Sequence, residues 1–186
     1  MKLIDLGTSV KWQKTDERSV PDIRNKIVDD IDFPPGLILE IGCAAGNFFE
    51  FMSVSSRFNN EYIGIDLDLK QISKARKRFP QGKFIYGDVL KFDNLLKLCK
   101  TIVSFQVLEH IKNDFGLFER INSRKNIIFS VPNFPYRGKF PDGHKRYYEL
   151  DGWIKRYKEI LNISEVWTIK HYKKNRKIFV FQCNRR

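Results

Sequence analysis

The sequence predicts an α/β fold in which helices cover both faces of a doubly wound, mainly parallel sheet. Two observations support this fold class. Five short apolar runs alternate along the chain with segments whose apolar residues recur at helical spacing. The first run, at 37–41, breaks into a turn with Gly42 and Gly46 and leads into an apolar helix. Strand, glycine turn and helix, in that order, begin a nucleotide-binding α/β unit.

The first elements can be placed in order along the chain. A leading helix is expected from about residue 20, because Ser19 and Pro21 form a typical helix start and apolar residues follow at helical spacing up to Ile31. Amphipathic helices are expected between the strands. The five predicted strands are 37–41, 62–66, 83–86, 101–105 and 126–131.

The last third of the chain is predicted to contain a loop, a helix and a hairpin. Residues 132–147 hold three of the seven prolines and predict an irregular loop. A helix is expected at 150–160, followed by two strand-like runs at about 163–171 and 177–183. A polar turn at 173–176 separates these runs, which therefore predict an antiparallel hairpin.

Length and composition indicate one domain. The 186 residues suit a single core, and we expect one domain over 1–186, with an N-terminal helical extension (1–35), a ligand-binding core (36–135) and a C-terminal part (136–186). No apolar run approaches the roughly 20 residues of a membrane span, and no secretory signal pattern is present. The three cysteines are far apart in sequence. We therefore expect a cytoplasmic protein without a membrane partner.

The positive charge is concentrated near the C-terminus. The formal net charge is +12, and residues 136–186 contain 14 Lys or Arg and 5 Asp or Glu, so +9 lies in this last part. Such asymmetry is typical of a protein with an anionic partner, nucleic acid above all. The alternative is that these lysines serve only solubility.

Four polar side chains stand at the ends of the predicted strands, namely Glu40, Asp66, Asp88 and Gln106. The carboxyl ends of parallel strands meet at one edge of the sheet, so we expect these residues to converge. Asp66 could accept both hydroxyls of a ribose. Asp88 could accept from an exocyclic amine, beside the backbone amide of Val89, and Glu40 would attract a cationic group. S-adenosylmethionine carries a ribose, an amino-bearing base and a cationic amino-acid end, and fits this set.

Each of these residues also has a purely structural alternative. Asp66 could be the N-cap of the following helix, and Asp88 could be a turn residue. The two glycines could serve packing alone. Cys43 is expected to be a small packed residue beside the ligand rather than a nucleophile.

Together, these motifs resemble the class I S-adenosylmethionine-dependent methyltransferases. The resemblance runs from about Leu37 to Asn133 and continues more weakly to Gly143-His144. It implies a Rossmann-like, seven-stranded mixed sheet whose last strand is antiparallel, in agreement with the predicted hairpin. The motifs that carry it are Glu40-x-Gly42-x-x-x-Gly46, Tyr62-Ile63-Gly64-Ile65-Asp66, Gly87-Asp88 and Gln106-Val107-Leu108-Glu109-His110. The cofactor contacts that we expect are Glu40, Gly42, Cys43, Gly46, Asp66, Leu67, Asp88, Val89 and Gln106.

Methyl transfer from a sulfonium is an in-line displacement that depends mainly on alignment and desolvation. A base is needed only where the acceptor must lose a proton. The catalytic candidates are His144, His110 and Glu109, with Tyr147 and Tyr148 close to His144 in sequence. The resemblance places His144 in a loop that commonly covers the substrate. The alternatives are a solvated loop histidine for His144, and a structural role at a helix start for Glu109 and His110.

Gln106-x-x-Glu109-His110, with the distant His144, also resembles the metal site of the small-RNA 3′-terminal 2′-O-methyltransferases. In those enzymes two carboxylates and two histidines hold a divalent ion that binds the terminal ribose hydroxyls. Gln106 stands where the first carboxylate belongs, and a neutral amide is a poorer ligand for a hard cation. The same Glu-His pair also occurs in metal-free relatives, so we expect no metal.

Three possibilities stay open for the methyl acceptor. A small molecule is slightly preferred, because the chain has no separate RNA-binding module. An RNA acceptor, methylated at a ribose 2′-oxygen for example, would use the basic and aromatic residues between Tyr136 and Lys174. The third possibility is a non-catalytic subunit that only binds S-adenosylmethionine. The sequence predicts no oligomeric state.

Overall fold

The computed structural model describes residues 1–10, 31, 33–55, 58–133, 143–171 and 177–186. Its strands form one eight-stranded sheet in the order β1-β7-β8-β6-β5-β2-β3-β4. The mixed α/β sheet that the sequence predicts is confirmed. The strands are Lys2–Val10 (β1), Ile38–Ile41 (β2), Tyr62–Asp66 (β3), Lys83–Tyr86 (β4), Thr101–Phe105 (β5), Asn126–Asn133 (β6), Leu161–His171 (β7) and Lys177–Arg185 (β8).

The helices of the described residues lie between these strands, as predicted. A 3-10 turn at Val89–Lys91 follows β4, and a short helix follows this turn. None of these helices has the length and apolar character needed to cross a membrane. The α-helices are Asn47–Val54 (α1), Leu69–Arg78 (α2), Asp93–Leu98 (α3), Asp114–Arg120 (α4) and Leu150–Tyr157 (α5).

The chain divides into two compact units. One unit, Gln13–Ser104, contains the glycine turn and is called the glycine-turn unit below. The other, the terminal unit, combines Met1–Trp12 with Phe105–Arg186. The single domain expected over 1–186 stays a prediction, and each unit is described by itself.

In the glycine-turn unit, β2 pairs in parallel with β3 and with β5, and β3 pairs in parallel with β4. All four residues of β2 and all five of β5 are buried. Burial on both faces explains why these strands are nearly continuous apolar runs in the sequence. The register places Glu40 of β2 beside Gly64 on one side and Val103 on the other.

In the terminal unit, β8 lies between β6 and β7 and is antiparallel to both. This pairing confirms the predicted C-terminal hairpin and the antiparallel last strand. Aromatic side chains fill the core beside the sheet, where Phe129 stacks on Phe181 at 4.8 Å between ring centroids. Trp153 and Tyr157 of α5 are fully buried and bring this helix into the same core.

The first strand, β1, was not predicted from the sequence. It pairs in parallel with β7, and the register shifts between Asp5 and Ser9. β1 is an outer strand of the sheet, and Leu3 is 59% exposed, so no continuous buried apolar run marks it in the sequence. The helical extension expected at 1–35 is therefore wrong for residues 2–10, and the sheet has eight strands rather than seven.

Several predicted features cannot be compared with the structure. Most of the leading helix, the middle of the loop at 134–142 and the hairpin turn at 173–176 lie outside the described residues.

Candidate active site

The glycine turn after β2 is held tightly against β3. The amides of Gly42 and Cys43 both donate to the carbonyl of Ile65, at 2.8 and 3.1 Å. Gly42 and Gly46 have left-handed φ angles of 74° and 81°, which favour glycine. A Cβ atom on Gly46 would lie 3.0 Å from Phe84 and 3.1 Å from Phe79. The sequence needs glycine at position 46 for both conformation and space, which explains the motif.

Asp66 joins the turn to the segment that follows β3. Its Oδ2 accepts from the amide of Ala44 at 2.8 Å, and its Oδ1 accepts from the amide of Asp68 at 2.8 Å. The N-cap of α2 is Asp68, whose side chain accepts from the amides of Lys70 and Gln71. The N-cap alternative for Asp66 is therefore excluded. Each carboxylate oxygen can accept a second hydrogen bond, so its contact with a ribose stays a prediction.

Asp88 has the turn role that the structural alternative assigned to it. Its Oδ1 accepts from the amide of Leu90 at 3.0 Å and caps the 3-10 turn that begins at Val89. One carboxylate oxygen thus shapes the loop after β4, and a contact between Asp88 and an exocyclic amine stays a prediction. Val89 itself is buried, whereas Leu67, next to Asp66, is 70% exposed. Leu67 therefore offers apolar surface at the carboxyl end of β3, which a flat ring could cover.

Glu40 is completely buried at the carboxyl end of β2. Its Oε2 accepts from the hydroxyl of Tyr62 at 2.5 Å. Gly64 leaves the space for this pair, because a Cβ atom there would lie 2.6 Å from the Tyr62 hydroxyl and 2.9 Å from Cys43 Sγ. Cys43 is likewise fully buried, as expected of a packed residue. Glu40 thus has a partner of its own, and its attraction for a cationic ligand stays a prediction.

Gln106 follows β5 and belongs to the terminal unit. Its φ angle is 58°, a conformation that is uncommon outside glycine and is often found at functional sites. Ser130 of β6 holds it there. The backbone amide of Gln106 donates to the Ser130 carbonyl at 3.0 Å, and its Nε2 donates to Ser130 Oγ at 3.1 Å. The structure therefore fixes the Gln106 side chain, and its contact with the cofactor stays a prediction.

The three catalytic candidates come together in the terminal unit. One possible ligand atom of each of Glu109, His110 and His144 lies within 4.8 Å of the others. The ring centroids of His110 and His144 are 4.3 Å apart, and the ring of Tyr147 lies 4.8 Å from that of His144. Two segments more than 30 residues apart in sequence thus form what we call the Glu109–His110–His144 cluster.

Burial gives the Glu109 carboxyl group an unusual protonation equilibrium. Glu109 is 1% exposed, and its Oε2 accepts no hydrogen bond from the described residues. This burial raises the pKa of Glu109 to about 8, although a backbone hydrogen bond and the charge of Arg146 lower it in part. Glu109 therefore holds a proton at neutral pH and can donate a hydrogen bond.

Sequence reasoning missed the residues that hold the site in place. Tyr62 pairs with Glu40, Ser130 with Gln106, and Arg78 donates to the carbonyl of Ala45 in the glycine turn at 2.9 Å. These partners are distant in sequence, and of the three only Tyr62 belongs to a motif, in which it was given no role of its own. A weak signal for Tyr62 did exist, because it lies diagonally across from Glu40 in adjacent strands, with glycine directly opposite Glu40.

A family model described as a methyltransferase domain matches residues 12–162. None of the curated proteins matches the chain. Among solved structures, PH0226 protein from Pyrococcus horikoshii OT3 is similar with a TM-score of 0.71 at 15% identity, over 91% of each chain.

Two further solved structures have similar folds. N-methyltransferase NodS from Bradyrhizobium japonicum, in complex with S-adenosyl-L-homocysteine, has a TM-score of 0.66 at 17% identity, over 97% of this chain and 94% of its own. Magnesium protoporphyrin IX methyltransferase from Synechocystis, with bound S-adenosylmethionine, has a TM-score of 0.63 at 15% identity, over 91% and 79%. Because the family model covers more than half of the chain, this protein belongs to the methyltransferase-domain family, as its resemblance to the class I S-adenosylmethionine-dependent methyltransferases implied.

Proposed function

We propose that the protein transfers a methyl group from S-adenosylmethionine to a small-molecule acceptor. The observation that supports the donor most directly is the double role of the Asp66 carboxylate, which accepts from Ala44 in the glycine turn and from Asp68 after β3. One side chain thereby links the segment expected to receive the methionine end with the segment expected to receive the ribose. The family match supports the reaction type.

The donor contacts proposed in the glycine-turn unit follow from chemistry. The backbone at Gly42 and Gly46 would approach the amino-acid end of the donor, and the buried carboxyl group of Glu40 would accept from its ammonium group. Asp66 would accept from the ribose hydroxyls, and Asp88 from the adenine amine. The exposed side chain of Leu67 would cover the adenine ring.

The choice of acceptor class rests on the similar folds. One of the similar proteins is described as a magnesium protoporphyrin IX methyltransferase and another as an N-methyltransferase. These descriptions favour a small molecule over RNA. The alternative of an RNA acceptor is supported by the basic C-terminal region and by the resemblance of Glu109, His110 and His144 to the metal site of the small-RNA methyltransferases.

The Glu109–His110–His144 cluster is proposed to serve an acceptor that must lose a proton. The sulfonium donor is already activated, so the protein has to align the acceptor and remove its proton as the methyl group moves. A protonated Glu109, whose pKa is raised to about 8, is a poor base at neutral pH. We therefore assign proton acceptance to His144 or His110, and hydrogen bonding to Glu109.

A divalent metal ion is the alternative occupant of this cluster. Two imidazoles and one carboxylate, with ligand atoms within 4.8 Å of one another, fit a transition-metal ion. Glu109, His110 and His144 would hold the ion, which would polarise an acceptor hydroxyl and lower its pKa. The neutral Gln106, where a second carboxylate would be expected, is the observation against this alternative.

A screen of methyl transfer tests the proposal. The protein is incubated with methyl-labelled S-adenosylmethionine and with separate metabolite, RNA and protein fractions, in the presence and absence of a chelator. We expect label in the metabolite fraction that is insensitive to chelator. Label only in RNA would contradict the acceptor class, and loss of transfer with chelator would favour the metal. Absence of transfer into all fractions, with S-adenosylmethionine bound, would favour the non-catalytic subunit.

The same assay on the His144→Gln variant tests whether His144 accepts the proton. If His144 accepts the proton, turnover falls by on the order of a hundredfold, while the affinity for S-adenosylmethionine is unchanged. Unchanged turnover would make His144 a loop residue without a catalytic role.

A further inference from the structure

The Glu109–His110–His144 cluster is built on two segments that contain no helix or strand. Glu109 and His110 lie in turns between β5 and α4, and His144 lies in the extended segment that leads into α5. Regular secondary structure therefore does not set the distance between these side chains. Some tertiary contact has to hold the segments together.

Arg146 makes that contact. Its side chain is almost completely buried, and its guanidinium group donates to three backbone carbonyls of the facing turns. Nη1 donates to Leu108 and to Ile111, each at 2.7 Å, and Nη2 donates to Lys112 at 3.0 Å. These carbonyls lie on both sides of the Glu109–His110 pair. The planar guanidinium, with its five donors, is suited to such a set of acceptors, and a lysine is not.

The backbone next to Arg146 adds a fourth hydrogen bond. The amide of Lys145 donates to the carbonyl of Glu109 at 2.7 Å. His144 is thus followed immediately by two residues that are docked on the turns carrying Glu109 and His110. The 4.3 Å distance between the rings of His110 and His144 is the geometric result of this docking.

Asp114 neutralises the buried charge of Arg146. Nη1 of Arg146 lies 3.1 Å from Asp114 Oδ2. Arg156 also donates to this carboxylate, at 2.6 and 2.9 Å, as does the hydroxyl of Tyr157, at 2.6 Å. Burial raises the pKa of Asp114, but these hydrogen bonds and the two arginine charges lower it below its ordinary value. Asp114 keeps Arg156 as a partner if Arg146 is replaced, so the loss of Arg146 leaves no unpaired carboxylate.

We propose that Arg146 is a positioning residue that assembles the Glu109–His110–His144 cluster by docking residues 143–146 onto the turns at 108–112. This proposal rests on the proposed function, because that function gives the cluster its catalytic role. Arg156 supplies the matched control, because it binds the same Asp114 but, among the described residues, donates no hydrogen bond to the turns at 108–112.

The test uses the full-length protein with isotope-labelled histidine. The chain has only three histidines, so their ring signals can be assigned by substitution. We expect a nuclear Overhauser cross-peak between the rings of His110 and His144 in the parent protein and in Arg156→Met. The cross-peak is lost in Arg146→Met, which has no donor, and in Arg146→Lys, whose single nitrogen cannot occupy the positions of both Nη1 and Nη2. The affinity for S-adenosylmethionine stays within about twofold of the parent in all variants.

Two results would overturn the proposal. One is a cross-peak that survives in Arg146→Met, and the other is its loss in Arg156→Met as well, which would indicate a general effect of the ion pairs. If Arg146→Met does not fold, Arg146→Lys serves as the test variant, because it keeps a positive charge opposite Asp114. A cross-peak that is retained in Arg146→Lys would contradict the docking role. If the parent does not bind S-adenosylmethionine, the proposed function is contradicted, and loss of the cross-peak in the Arg146 variants alone still supports the docking role of Arg146.

Discussion

Burial changes the protonation of the Glu109 carboxyl group at neutral pH. Glu109 is 1% exposed, and its pKa is raised from 4.5 to about 8. Between pH 4.5 and about pH 8, the folded protein therefore binds more protons at this carboxyl group than the unfolded chain does. The free energy of unfolding therefore falls as the pH rises from about 4.5 to about 8, by about 1.4 kcal/mol for each unit of pKa difference.

Glu109→Gln removes this pH dependence, because the neutral amide has the same shape as the protonated acid. In chelator-treated protein we expect the variant and the parent to have similar free energies of unfolding at pH 5. At pH 8 the variant is the more stable of the two, by on the order of 3–4 kcal/mol. Denaturant unfolding at a series of pH values measures the difference.

Glu119→Gln is the matched control for that series. Glu119 lies on α4 with an exposed side chain, so its substitution leaves the pH dependence as it is in the parent. A Glu109→Gln curve that runs parallel to the parent curve from pH 5 to pH 8 would contradict the raised pKa.

Residues of the site differ in how far the sequence predicts them. Asp66 and Asp88 could be found because they follow buried strands, which are visible as apolar runs. Tyr62 and Arg146 could not be found, because a tyrosine in a strand and an arginine in a polar loop have many possible environments. Their roles arise from burial beside Glu40 and Asp114, which depends on the tertiary fold.

At the scale of one element, the glycine turn combines backbone conformation with close packing. Gly46 has a φ angle of 81° and would place a Cβ atom 3.0–3.1 Å from two phenylalanine rings. Gly143 has a similar φ angle, 74°, but within the described part of the chain a Cβ atom there would meet only His110 Nδ1, at 4.0 Å. A comparison of the two positions therefore distinguishes the cost of a left-handed backbone conformation from the cost of steric conflict with neighbouring rings.

We expect Gly143→Ala to lower the free energy of unfolding by about 1–2 kcal/mol, the usual cost of a left-handed conformation for alanine. Gly46→Ala should cost more, because Phe79 and Phe84 also have to move. Urea unfolding of both variants measures this order. An equal or smaller loss in Gly46→Ala would show that the turn has room for a side chain.

At the scale of the whole molecule, the sequence predicts the buried strands well. The predicted strands at 62–66 and 101–105 coincide with β3 and β5, whose mainly buried positions demand apolar residues. The predicted strand at 83–86 coincides with β4, an outer strand that is exposed at both ends. β1 was missed because an outer strand with an exposed Leu3 needs no such run. Its pairing with β7 joins the two ends of the chain, a contact that no local pattern encodes.

The central claim also belongs to this scale: we expect the loops after β2, β3 and β4 to bind the S-adenosylmethionine on which the proposed reaction depends. The direct measurement is titration calorimetry of S-adenosylmethionine into the parent protein, Asp66→Ala and Asp68→Ala. Asp68 is the control, because it caps α2 next to Asp66 but is not a predicted cofactor contact. Loss of a charge-assisted hydrogen bond costs about 1.5–3 kcal/mol.

We predict that the parent and Asp68→Ala bind S-adenosylmethionine with similar affinity, and that Asp66→Ala binds it about tenfold to a hundredfold more weakly while keeping its fold. A parent protein that does not bind S-adenosylmethionine, or an Asp66→Ala variant that binds it as tightly as the parent, would contradict the account.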